Sequence, residues 1–136
     1  MRKIPNKRGE SYIETAVAVV ASMMVIVIAL NIFSFLTLKQ DLDYYAKEMM
    51  DTATIYGRTS NEVEERHTEL CEELGIIPSY DFSASDYFNT AKKTIQLGET
   101  VRLTVTYQSA VKGLGVFSIP VTLTVKESGL SEKYWK

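Results

Sequence analysis

A chain of 136 residues has room for one small domain, and its formal net charge of −2 hides a polarised distribution. Residues 1–9 carry Arg2, Lys3, Lys7 and Arg8 with no acid, whereas from residue 39 onward 11 Lys/Arg stand against 15 Asp/Glu. That acidic remainder excludes the basic footprint of a nucleic-acid binder, and the single Cys71 excludes an internal disulfide.

After the basic head comes an uncharged run, residues 15–38, built from Ala, Val, Met, Ile, Leu and Phe. It opens on Thr15 and is broken only by Ser22, Asn31, Ser34 and Thr37. At 1.5 Å per residue such a run crosses the roughly 30 Å hydrocarbon core with length to spare for tilt. A secretory signal has an apolar region of only about 7–15 residues before a small-x-small cleavage site, and neither condition holds here. The sequence therefore predicts a transmembrane helix over residues 10–38. The basic head predicts a cytoplasmic N-terminus and an extracytoplasmic domain of residues 39–136. What remains outside the membrane can build a modest core, not a large enzyme with a deep cleft.

The helix is expected to continue past the membrane surface. Leu42, Tyr45, Ala46, Met49, Ala53 and Tyr56 recur at three- and four-residue steps, and no Pro or Gly interrupts the chain between Glu10 and Gly57. One helix of about 45 residues, roughly 65–70 Å long, should end or bend at Gly57. A second helix follows, with Thr59, Ser60 and Asn61 as cap candidates and Thr59 to Glu62 fitting a capping box. Val63, His67, Leu70, Cys71 and Leu74 form its apolar face, and Gly75 stands where a terminating glycine belongs.

Beyond Pro78 the period changes to 2. Val101, Leu103, Val105 and Tyr107 alternate with Arg102, Thr104, Thr106 and Gln108, as do Val121, Leu123 and Val125 with Thr122, Thr124 and Lys126. Residues 94–97 are expected to form a hairpin partner for the first run, and residues 80–88 a weaker strand. Pro120 should mark a strand start or an edge. The fold class is α+β: a long N-terminal helix, a second short helix, then a small antiparallel sheet of three to four strands.

Little in this chain suggests catalysis. His67 and Cys71, four apart, could offer two metal ligands, but two ligands do not make a structural zinc site; packing against the sheet suits them better. No phosphate loop and no nucleophile elbow is present. Glu62, Glu64, Glu65, Glu69, Glu72 and Glu73 read as a solvated helix face. No catalytic residue, cofactor, metal, nucleic acid or small-molecule substrate is expected. The aromatic pair Tyr134-Trp135 either caps the sheet or meets a partner.

The informative feature is the entrance of the apolar run, Arg-Gly-Glu-Ser-Tyr-Ile-Glu at residues 8–14. Glu14 sits at its very edge, where a charge costs about 2.5–3.5 kcal/mol on insertion scales, so it calls for a partner. A basic leader (residues 1–9) ending in Gly9, with an acid five positions on and a long apolar helix after it, resembles a type IV prepilin signal. The chain is most similar to the TadE-like minor pilins, or pseudopilins, of tight-adherence (Tad/Flp) systems. That resemblance implies cleavage between Gly9 and Glu10 by a prepilin peptidase. It also implies pairing of Glu14 with a neighbouring subunit's new N-terminal amine, among other pilin-like subunits. The competing class is an uncleaved single-pass protein with a small external binding or sensory module.

Overall fold

The computed structural model describes residues 7–113 and 117–136; Arg2 and Lys3 of the basic leader lie outside the described residues. Helix α1 runs from Lys7–Tyr56, 50 residues and about 75 Å of continuous helix. It ends where expected. Gly57 takes φ +62°, a left-handed conformation that a glycine adopts without the Cβ penalty. The apolar positions 15–38 are exposed or at most half-buried, whereas Leu42, Tyr45, Ala46, Met49, Met50 and Ala53 are buried. Tyr56, the last member of the expected stripe, is exposed.

Helix α2, Asn61–Leu74, returns antiparallel to α1, so that Arg66 stands level with Glu48 and His67 with Tyr45. Gly75 terminates it as expected, at φ +67°, donating its N–H to the Cys71 carbonyl at 3.0 Å. The start differs from expectation. Ser60 precedes the helix with no side-chain capping bond, and the Thr59–Glu62 box does not form. Buried Thr59 instead shares its hydroxyl with Tyr87 Oη at 2.8 Å, and Glu62 is taken by Arg58.

Three antiparallel strands, β1 (Ser79–Asp81), β2 (Thr100–Gly113) and β3 (Phe117–Leu130), lie in the order β1-β2-β3. The expected strand over 80–88 is reduced to β1. The Asp81 carboxylate accepts both the Ser83 N–H and its hydroxyl at 2.8 Å, and this tight turn ends the strand. Those donors hold the Asp81 carboxyl below the usual carboxylate range.

Residues 94–97 are not the hairpin partner of β2. Thr94 makes only isolated bridges to Arg58 and Asn89, and the Ile95 N–H goes to the Gly57 carbonyl at 2.7 Å. The segment wraps the end of α1 instead of joining the sheet. Val101, Leu103 and Val105 of β2 face the helices and close the core with Phe82 and Ile95. Pro120 falls inside β3, which is an edge strand, where a missing N–H costs no ladder bond.

Candidate functional site

Gly9, Glu10 and Glu14 all lie on the first turns of α1 and all are exposed. Nothing approaches within 4 Å of where a Gly9 Cβ would stand, so the surroundings leave this position open. Glu10 and Glu14 are one turn apart on the same side of the helix. Neither makes an ion pair with a described side chain from Gly9 onward.

The polar side chains of the apolar run behave differently from these acids. Thr15 Oγ1 donates to the Ser11 carbonyl at 2.8 Å, and Ser22 Oγ to Ala18 at 2.7 Å. Asn31 Nδ2 donates to Val27 at 2.9 Å, Ser34 Oγ to Leu30 at 3.0 Å and Thr37 Oγ1 to Phe33 at 3.1 Å. Each returns its donor to the carbonyl one turn back. The run therefore presents an almost wholly apolar surface despite its five polar residues. Such internal satisfaction is what a helix in hydrocarbon requires. By length and composition this is one helix able to cross a membrane. The two carboxylates at its entrance are the exception.

A second constellation lies where α1, α2 and β1 meet. Tyr45 Oη and His67 Nδ1 are 2.6 Å apart, and the Cys71 Sγ is 3.5 Å from the same nitrogen. The His67 ring also stacks at a tilt on Tyr80, centroids 4.9 Å apart. Burial pushes the Tyr45 and Tyr80 phenols and the Cys71 thiol up, and His67 down. A protonated phenol donates to Nδ1, leaving the proton of a neutral imidazole on Nε2. A neutral thiol beside a neutral imidazole is a poor nucleophilic pair. The cluster holds α2 against α1 and the sheet, and among the described residues no group of three or more His, Cys, Asp or Glu converges on a metal position.

Its pH dependence follows. His67 is depressed in the folded state, so the unfolded chain binds more protons below about pH 6.5. Stability is fully present above that pH and declines as pH falls toward the folded value. The urea midpoint of the wild-type chain should drop between pH 7 and pH 5 by more than that of His67→Gln; equal slopes would remove His67 from the account.

Beside this cluster, Arg66 bridges Glu48 at 2.6 Å and Glu69 at 3.0 Å, and these bonds raise its already high pKa. Being partly solvated, each such pair contributes at most about 1 kcal/mol.

The tail contains what the sequence left undecided. Trp135 Nε1 donates to the Gly57 carbonyl at 3.1 Å, beside the Ile95 N–H that uses the other lone pair. Gln96 brackets the Trp135 backbone, Nε2 to its carbonyl at 2.8 Å and Oε1 from its N–H at 2.7 Å. Trp135 thus closes the open C-terminal end of α1, while Tyr134 stays exposed. The only sequence signal was a lone tryptophan in a polar tail.

Residues 19–136 match the model of a protein family described as a domain of unknown function, DUF4320. No curated protein and no solved structure matches the chain. The match begins at Val19, beyond the Gly9–Glu14 entrance, so it covers most of the apolar run and everything after it.

Proposed function

The chain belongs to the DUF4320 family, matched over most of its length, and we propose that it is a membrane-anchored, non-enzymatic, TadE-like pilin subunit of a Tad/type IV-type pilus or secretion apparatus. The observation that carries this reading is the composition of α1. One helix joins an apolar segment with internally satisfied polar groups to a face buried in a small domain. Two exposed carboxylates stand at its entrance, just after Gly9. A plain anchor gains nothing from an acid at position 14, whereas an assembling helix can neutralise a neighbour's amine with it.

In this reading the basic leader stays cytoplasmic until a prepilin peptidase cuts between Gly9 and Glu10. The domain 39–136 is extracytoplasmic, and the partners are the membrane, the peptidase and other pilin-like subunits. The role calls for no cofactor and no small-molecule substrate.

Intact mass of the chain recovered from membranes of its native host is the direct test. A chain beginning at Glu10 supports the proposal, and Gly9→Leu should abolish that cut because a side chain there obstructs the peptidase subsite. A chain that retains residues 2–8 is instead the uncleaved single-pass protein.

A further inference from the structure

We infer that the distal strand segments of the β2–β3 hairpin, residues 107–111 and 117–123, form a lipid-contacting arm that dips into the outer membrane–water interface beside α1. The inference rests on the reading of residues 15–38 as a membrane span. It starts from the length of the hairpin and the direction in which it runs.

The root of the hairpin is fixed near the outer end of α1. Gly129 lies against Thr54 and Met50, and the Glu132 N–H donates to the Thr54 carbonyl at 2.9 Å. Val101 is the cross-strand partner of Gly129, and the ladder continues without a break to Gly113 opposite Phe117. Those twelve residue steps from Val101 to Gly113 extend about 40 Å, the length of about 26 helical residues.

The buried face of α1 from Ala53 back to Leu42 shows that the domain packs along the helix toward its N-terminus. To stop short of Leu38, the hairpin would have to cross the helix at about 60°. Even at about 45° it passes that level.

Phe35 and Leu38 are half-buried amid exposed neighbours and continue the stripe of Leu42, Tyr45, Met49 and Ala53, so the burial on α1 reaches the outer end of the apolar run. Helix α2 ends near the same height, since its 14 residues span about 21 Å and Arg66 is level with Glu48.

The chemistry of the arm fits an apolar interface. Cross-strand partners share a face, so Val111, Ile119, Val121 and Phe117 extend the core-facing side of Val101, Leu103 and Val105. Yet Phe117 is 65% and Ile119 61% exposed, and the first four residues of β3 are exposed on both faces. No protein element covers them among the described residues. Open strand edges are not tolerated in hydrocarbon, which limits the arm to the headgroup and acyl boundary. The occupant is therefore the outer leaflet, not a groove on another domain.

The test places an environment-sensitive NBD fluorophore at single cysteines in the full-length Cys71→Ser chain. The protein is reconstituted into phosphatidylcholine vesicles containing lipids with a shallow or deep nitroxide. Met24→Cys reports the span, Ile119→Cys the arm and Ser128→Cys the root of the same hairpin. The arm label should lose at least about half its emission to the shallow nitroxide, with Ser128→Cys unaffected. Phe117→Cys repeats the measurement should the first variant fold poorly.

Quenching at Met24 without quenching at either arm position overturns the inference and leaves the membrane span standing. Equal quenching at Ser128 overturns it too, because the whole domain would then lie flat on the bilayer. An unquenched Met24 removes the span, and the arm falls with it.

Discussion

Glutamine at position 14 is expected to leave membrane insertion and processing intact while lowering recovery of the chain in crosslinked assemblies by about two powers of ten. The reason lies in what the proposed cleavage would create. Removing residues 1–9 discards four basic side chains and exposes an α-amino group on Glu10. In the proposed bundle of helices that amine would enter surroundings where water no longer screens it. Glu14 is exposed and makes no ion pair with a described side chain from Gly9 onward, which leaves its charge accessible to a neighbouring subunit. An amide hydrogen-bonds but cannot compensate a full positive charge. Breaking one partner of a buried pair costs about 3–5 kcal/mol, which exceeds what a few apolar helix contacts replace. An uncleaved anchor has the opposite dependence, since losing the acid there favours insertion. The measurement is co-purification of crosslinked complexes at matched membrane levels of wild-type and Glu14→Gln protein. Equal yields would sink the charge-pairing role.

The parts of the fold legible in the sequence are those set by local geometry. Gly57 and Gly75 mark helix ends because the chain there needs positive φ, and both adopt it. The alternation from Val101 to Val105 was readable because its apolar members are the ones buried. Residues 94–97 alternate in the same way, but the apolar pair that would share one strand face is split. Ile95 is buried and Leu97 exposed, and the Ile95 N–H finds a helix-end carbonyl instead of a strand. The capping box failed for a similar reason. Thr59 is claimed by Tyr87, 28 residues away, which no local pattern encodes. At the candidate site, Gly9, Glu10 and Glu14 stand out as charge placed against an apolar run. The pairing proposed for Glu14 is with another chain, so its geometry is encoded in neither the local pattern nor the fold.

Of the helix-end glycines, Gly57 should tolerate alanine far worse than Gly75, although their backbones are nearly alike. Both hold left-handed φ, at +62° and +67°, so alanine at either pays about 1–2 kcal/mol for conformation alone. At Gly75 nothing lies within 4 Å of the added Cβ, and that is the whole cost. At Gly57 the Cβ would overlap Lys133 Cβ and stand 2.9 Å from Trp135 Nε1. Lys133 Cβ is one bond from backbone and cannot swing aside, so the tail itself must move. Displacing it breaks the Trp135 bond to the Gly57 carbonyl and both Gln96 contacts, and opens the end of α1 to water. Neutral hydrogen bonds contribute about 1 kcal/mol each, which brings the expected loss for Gly57→Ala to roughly 3–5 kcal/mol. Trp135 is the only tryptophan in the chain, so its emission reports tail docking directly. In detergent-solubilised full-length protein, Gly57→Ala should shift that emission to the red before any denaturant is added and lower the urea midpoint well below that of Gly75→Ala. Gly75→Ala should keep the wild-type spectrum. Matching midpoints and matching spectra for the two variants would mean the tail does not seal the helix end.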